Sequence, residues 1–284
     1  MQGVVIGLIH PGEMGAAIGA LLSGRSREVL WASSGRSPET AQRAEAAGLI
    51  DVGSVQELAR RSELVFSVCP PHAALDVARA VASAGFRGLY LDANAISPST
   101  TRAVGDAVGA GGATFVDGGI VGSPPRVAGT TRLYLSGAAA SRVAETFEGT
   151  ELEPVVLADE LGVASALKMA YAAWTKGSTA LLLAALAAAR ADGVEHALRQ
   201  EWELSQPGLL QRTERAAAAA ATKGWRWVRE MEEIADTLAA SDLPDGFHRA
   251  AAEVFSRAGR DSSADADEAT LEFVLRNLAA LQPR

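Results

Sequence analysis

One cysteine, Cys69, stands in 284 residues, so no intramolecular disulfide can form and a reducing compartment, the cytoplasm, is expected. Positive charge is in deficit. Lys and Arg total 26 against 34 Asp and Glu, a formal net charge of −8, and no basic stripe with interleaved aromatics offsets it. A nucleic-acid backbone is therefore not the expected partner. Long hydrophobic runs are also missing. The longest, residues 179–189, is alanine-rich and falls short of the roughly 20 residues that span a bilayer, so it reads as a core helix with no membrane partner. No charged, cleavable leader precedes the first apolar run, so no secretory signal is expected. Clusters of His, Cys, Asp and Glu at ligand spacing are absent, and no metal is expected. Aromatics are few, at 5%, while 48% hydrophobic and 21% charged residues describe a globular chain of one large or two ordinary domains. Its expected partner is a small molecule.

What is present begins at once. The apolar run 4–9 reaches the turn His10-Pro11-Gly12-Glu13-Met14-Gly15 and then an alanine-rich helix. A buried parallel strand reads as a continuous β-branched run, and Gly12 and Gly15 let backbone approach a pyrophosphate at a helix N-terminus. His10 stands where the G-x-G-x-x-G fingerprint has its first glycine. A purely structural strand-to-helix turn is the competing reading. A second apolar segment follows at 28–32, at the distance where a β-α-β unit brings its second strand beside the first. Its end reads Ser33-Ser34-Gly35-Arg36-Ser37, with no acid for the ribose hydroxyls of NAD. Hydroxyls and a guanidinium suit a 2′-phosphate, which points to NADP; the alternative is a solvated loop with Ser37-Pro38-Glu39 as a helix cap.

Strands at 4–9, 28–32, 64–68, 88–92, 114–116 and 132–136 alternate with helical segments, the pattern of an N-terminal Rossmann-type doubly wound parallel sheet. After Glu160 the pattern becomes helical: a long helix over 161–190, apolar around its axis and ended by Asp192-Gly193, then helices near 208–222, 225–239, 245–258 and 266–281. Gly224, Pro244, Gly246 and Gly259 are read as the punctuation between them. The expected division is an NADP-binding Rossmann domain over 1–158 and an all-helical substrate and dimerisation domain over 159–284, with the active cleft between them.

Ligands bind beyond the carboxyl ends of strands in such sheets, which singles out three segments. Cys69-Pro70-Pro71-His72 forms a rigid loop able to pass along the cofactor; Cys69 itself reads as a small buried filler, and His72 as a helix start. Asp92-Ala93-Asn94-Ala95-Ile96-Ser97-Pro98 offers Asn94 to substrate or nicotinamide ribose, with Ser97-Pro98 a helix start. In Asp117-Gly118-Gly119-Ile120-Val121-Gly122-Ser123, glycines expose amides to a carboxylate, or simply make a tight turn. On the long helix, Lys168 shares a face with Ser165, Tyr171, Ala172 and Thr175. Desolvation there lowers a lysine pKa and suits proton exchange with an alcohol, whereas an ordinary lysine would snorkel to solvent.

Taken together these segments resemble the β-hydroxyacid dehydrogenase family, which includes 3-hydroxyisobutyrate and 6-phosphogluconate dehydrogenases. Gly12-Glu13-Met14-Gly15 is similar to its G-x-M-G turn, and Asp92 to Pro98 to its D-x-S-T-x-S-P segment, with Ala95 in place of Thr. Asp117 to Ser123 is similar to D-A-P-V-S-G-G, with Val121 for Ser and Ser123 for the last Gly. Gly162 to Ala172 resembles G-x-G-x-x-x-K-x-x-N-N, with Tyr171 and Ala172 in place of the asparagines. The resemblance implies that Lys168 is the general acid/base, that His10, Pro11, Gly12, Glu13, Met14, Ser33, Ser34, Arg36, Cys69, Pro70, Pro71 and Asn94 bind cofactor, and that Asn94, Ile96, Val121, Gly122, Ser123, Tyr171 and Thr175 line the substrate site. Ala172 cannot orient substrate as asparagine does, so neither 3-hydroxyisobutyrate nor 6-phosphogluconate is the expected substrate.

The segment 223–235 is similar to a subfamily with a divergent helical domain. Trp225 and Trp227 are pocket walls or core, Glu232 a partner for a cationic substrate or for Lys168, or a surface carboxylate, and His248 a helix-start residue that can face the cleft. The expected activity is NADP-dependent interconversion of a small hydroxy acid or related alcohol with its carbonyl, in a homodimer built on the C-terminal helices. An imine reductase-like enzyme and a non-catalytic NADP-binding protein are the alternatives; imine reductases generally lack a lysine at this place.

Overall fold

β-Branched and aromatic residues fall where the chain must be extended and buried on both sides. The computed structural model describes residues 3–25 and 27–279. In chain order it forms β1 (Ile6–Ile9), α1 (Glu13–Ser23), β2 (Val29–Trp31), α2 (Pro38–Ala46), β3 (Ile50–Asp51), α3 (Val55–Arg61), β4 (Leu64–Ser67), α4 (Ala74–Ser83), β5 (Leu89–Asp92), α5 (Pro98–Ala110), β6 (Thr114–Val121), β7 (Thr131–Ser136), α6 (Ala140–Phe147) and β8 (Leu152–Ala158). The strands make one eight-stranded sheet in the order β3-β2-β1-β4-β5-β6-β7-β8.

Alternate residues of the central strands feed two cores. Ile6, Leu8, Leu64, Phe66 and Leu91 pack with Ile18 and Leu22 of α1 and Val143 and Phe147 of α6. Val65, Tyr90 and Phe115 face the other way, against Leu58 of α3, Ala78 of α4 and Val104 of α5. The sheet is therefore wound on both faces. Ser37 and Ser97 cap α2 and α5, each accepting from the amide three residues on and each followed by proline at the first helical position.

The sheet is parallel and doubly wound as expected, save for one pair of strands. β6 and β7 are antiparallel, because the short connection from Val121 to Thr131 holds no crossover helix. β6 also runs to Val121, past the expected end at 116, so residues 118–121 are ladder residues and not a loop. β3 and β8 were not read from the sequence: β3 has two residues and no periodicity, and β8 alternates weakly between half-buried and exposed positions.

The chain divides into two compact units between Met169 and Ala170, downstream of the boundary expected after 158. A single helix, α7 (Val163–Ala191), spans that division. It is long and apolar enough to cross a membrane by length and composition alone, although it carries Lys168, Lys176 and Arg190. The second unit adds α8 (Glu195–Ser205), α9 (Leu209–Ala239), α10 (Gly246–Arg257) and α11 (Glu268–Ala279). The expected helices at 208–222 and 225–239 are one helix. Gly224 does not interrupt it, because it lies under Phe255 of α10, whose ring would stand 3.5 Å from a Gly224 Cβ. α8 was not anticipated, and the last two residues of the helix expected at 266–281 lie outside the described residues. Within the second unit, Trp227 packs edge-to-face on Phe255 at 5.0 Å, Lys176 pairs with the buried Glu230, and Arg190 bridges Glu195 of α8 and Glu272 of α11.

Candidate cofactor and catalytic site

The carboxyl ends of the strands fall on one register line: Ile9 opposite Ser67, Ser67 opposite Asp92, and Asp92 opposite Asp117. The residues that follow on this line, His10, Cys69, Asn94 and Gly119, come from segments far apart in sequence.

At β1 the chain turns sharply. His10 adopts φ 68°, the left-handed conformation that glycine supplies most easily, so an imidazole is added where glycine has only hydrogen while the backbone geometry is kept. The carbonyl of His10 accepts from Gly12 N at 2.7 Å and would stand 2.7 Å from a Cβ on Gly15, so this turn closes only with glycine at 15. Gly12 is the N-cap of α1 and offers no side-chain cap to the first-turn amides. Pro11 is buried, Met14 half-buried and Glu13 exposed. Arg36 Nη1 lies 3.1 Å from His10 Nδ1, and Arg43 Nη1 donates to Pro11 O at 3.3 Å. Ser33 and Ser34 sit in the same loop, where the Asp51 carboxylate accepts from Ser33 N at 3.2 Å and Gly53 N at 2.8 Å. Arg43 and Asp51 were not singled out from the sequence, since both lie in segments that read as ordinary surface.

At the ends of β4 and β5, Asn94 is only 2% exposed and its amide is committed. Cys69 N donates to Asn94 Oδ1 at 2.6 Å, while Nδ2 donates to Asp92 Oδ2 at 2.7 Å and Ser67 Oγ at 3.3 Å. Asn94 thus fixes the start of the Cys69-Pro70-Pro71 loop. Burial, with the Asp117 charge adding to it, pushes the Asp92 carboxyl up to about 7, against the amide donations from Asn94. Burial and the Asp92 charge push the Cys69 thiol up to about 12, which removes it as a nucleophile near neutrality. Ile96 is fully buried in the core under α4 and α5, and His72 is exposed in a single 3₁₀ turn.

At β6 the helix carrying Lys168 is anchored. The buried Asp117 carboxylate accepts from Gly162 N at 3.1 Å, Ser165 N at 3.0 Å, Ser165 Oγ at 2.5 Å and Ser136 Oγ at 2.8 Å. It caps the start of α7 from a neighbouring strand. Thr101 Oγ1 of α5 meets Ser165 Oγ at 2.7 Å, a second tie. Gly119 then permits contact: a Cβ there would meet Ala164 O at 2.8 Å and Lys168 Cβ at 3.1 Å. Glycine at 119 serves helix approach, not the exposed-amide role expected for it. Lys168 is half-buried. Further along the helix Tyr171 is 47% exposed, Ala172 is buried, and Thr175 Oγ1 bonds back to Tyr171 O at 3.0 Å. Val121 is buried in the ladder; Gly122, at φ 127°, and Ser123 are exposed, with Ser123 O accepting from Thr131 Oγ1 at 2.5 Å.

In the second unit Trp225 lies between Arg226 and Arg260, Glu232 pairs with Arg229, and His248 Nε2 meets Ala173 O at 3.2 Å. His248 is buried and Trp227 half-buried. Among the described residues no group of His, Cys, Asp and Glu is placed to hold a metal ion.

Residues 5–148 match the family described as the NAD binding domain of 6-phosphogluconate dehydrogenase, and residues 189–258 match a domain of unknown function, DUF1932. An uncharacterised 28.5 kDa protein of Methanothermus fervidus is 31% identical over 180 residues, 63% of this chain and 68% of that protein. The solved structure of MTH1747, a conserved protein of unknown function described as similar to 3-hydroxyacid dehydrogenases, is 29% identical, covers 89% of this chain and 97% of its own, and gives a TM-score of 0.66. Mycobacterium tuberculosis 3-hydroxyisobutyrate dehydrogenase with L-serine shares the fold, with a TM-score of 0.72 over 98% of this chain and 100% of that one at 18% identity.

Proposed function

From the premise that this chain belongs to the family carrying the NAD-binding domain of 6-phosphogluconate dehydrogenase, we propose that it is an NADP-dependent oxidoreductase interconverting a small hydroxy acid or related alcohol with its carbonyl. The observation that carries the reading is the line of strand ends, along which the glycine turn, the Asn94-held loop and Lys168 over Gly119 follow one another.

The dinucleotide fits the residues present. Gly15 allows the closed turn, and Gly12 leaves the first amides of α1 without a side-chain cap, as a pyrophosphate requires. Arg36 and the serine hydroxyls at 33 and 34 suit a 2′-phosphate. When bound, the nicotinamide supplies hydride chemistry. Pro11, Cys69, Pro70 and Pro71 give the cofactor a rigid border, while Asn94 positions that border from below. Lys168 holds or releases the proton of the substrate oxygen, acting as base toward an alcohol and as acid toward a carbonyl. Tyr171, Thr175, Gly122 and Ser123 are the substrate-facing set, and Tyr171 takes the polar role that Ala172 cannot.

The exposed side chains of Trp174 and Leu181 on α7 support a homodimer, in which a second copy covers apolar surface otherwise left to water. No part of the reading calls for a metal, a membrane or a nucleic acid. The test is a panel of hydroxy acids, their carbonyl counterparts and cyclic imines with NADPH and NADH, followed at the nicotinamide absorbance. Turnover of a hydroxy acid or its carbonyl with NADPH supports the reading. Turnover of imines alone transfers it to imine reduction, and cofactor binding without turnover leaves a non-catalytic NADP-binding protein.

A further inference from the structure

Nothing in a phosphate-binding turn calls for an imidazole at its tightest residue. His10 and Asp242 are the non-glycine residues at positive φ among those described, and a side chain there is strained where glycine is not. The strain has a visible return. His10 Nδ1 lies 3.1 Å from Arg36 Nη1. A guanidinium has donors only, so Nδ1 accepts and the ring proton sits on Nε2. The ring lies over the N-cap of α1: its Cδ2 and Nε2 are 3.5 and 3.6 Å from where a Gly12 Cβ would stand. Arg36 is thereby tied to the very turn whose amides suit a pyrophosphate. The carboxylate bonded into the same loop, Asp51, is engaged by the amides of Ser33 and Gly53. The second guanidinium, Arg43, is held by the carbonyl of Pro11.

Resting on the NADP reading above, the geometry points to His10 as a positioning residue that selects a phosphorylated ribose. It fixes the Arg36 guanidinium at a set place relative to the helix N-terminus before ligand arrives. An arginine on a solvated loop surrenders its rotamer freedom when it binds; one already docked on an imidazole surrenders less, and that difference goes to ligands carrying the 2′-phosphate. An unphosphorylated ribose offers the guanidinium only neutral hydroxyl acceptors and gains less from the arrangement. The place that elsewhere serves only the bend of the chain here also serves discrimination.

The experiment is calorimetric titration of NADPH, NADH, 2′,5′-ADP and 5′-AMP into the wild type, His10→Gly, Arg36→Ala and the double variant. Glycine at 10 keeps the turn, and circular dichroism checks the fold of each variant. His10→Gly is expected to weaken NADPH and 2′,5′-ADP by about tenfold and to leave NADH and 5′-AMP within about twofold. The double variant is expected to bind 2′,5′-ADP no more weakly than Arg36→Ala, since His10 acts through Arg36. Unchanged NADPH binding by His10→Gly, an equal loss for all four ligands, or losses that multiply in the double variant would overturn the inference while leaving the cofactor reading intact. A wild type that binds NADH as tightly as NADPH, or neither, would instead overturn the NADP reading on which it rests.

Discussion

Ser165 gives both its backbone amide and its hydroxyl to the Asp117 carboxylate, at 3.0 and 2.5 Å, so one buried acid on β6 fixes the first turn of the helix that carries Lys168. Ser165 and Lys168 are one turn apart on that helix. Whatever displaces Asp117 displaces the base proposed to handle the substrate proton.

Replacing Asp117 by Ala would leave Gly162 N, Ser165 N and two hydroxyls without their acceptor in a buried setting. A loss of about 3–5 kcal/mol in unfolding free energy is expected, measured by urea denaturation. Asp117→Asn keeps one acceptor oxygen and should lose about half as much.

Gly119→Ala tests the close approach of sheet and helix. Its Cβ would meet Ala164 O at 2.8 Å, and backbone cannot rotate away as a side chain can. A loss of about 1–3 kcal/mol is expected, with turnover falling more than cofactor affinity because Lys168 shifts while the glycine turn does not. Equal loss of both would mean that the whole unit is disturbed.

Asp92 makes stability depend on pH in an unusual direction. Its folded carboxyl lies at about 7, above the ordinary value of 3.8, so the folded state holds the proton more tightly than the unfolded chain. The stability that this proton supports is fully present below 3.8 and is lost as pH rises through about 7. The urea midpoint should therefore fall between pH 5 and pH 8, with the steepest change below neutrality. A midpoint that rises over that window would contradict a carboxyl whose proton is held by burial.

Gly224→Ala should stabilise the protein. The position is helical and the added methyl meets Phe255 at 3.5 Å, an ordinary contact. A gain of about 0.5–1 kcal/mol is expected from helix propensity, read as a higher denaturation midpoint.

How much of this was legible in the sequence depended on whether a feature is local. The turn at His10 to Gly15, the serine-proline caps of α2 and α5 and the apolar length of α7 are set by neighbours in the chain, and all are found where residue order places them. Gly224 was misread because glycine weakens a helix by an amount that packing on Phe255 offsets, and that packing is remote in sequence. Gly118 and Gly119 have the look of a loop, yet the ladder with Tyr134 and Leu135 and the pressure of α7 make them strand. Asp117 read as part of a substrate loop; its partners at 136, 162 and 165 come together only after folding. Asn94 likewise was read as pointing to ligand, whereas its amide is spent on Ser67, Cys69 and Asp92. Such roles leave no trace in spacing, because an acid that caps a helix from another strand looks the same in sequence as an acid that binds substrate.

Lys168 is the residue proposed to carry the substrate proton. The most direct measurement is kcat of Lys168→Ala against wild type on a substrate found in the panel, with the NADPH dissociation constant measured on the same samples. A fall in kcat of about 10²- to 10⁴-fold is expected, with the dissociation constant unchanged. Full turnover by Lys168→Ala with normal NADPH binding would contradict it.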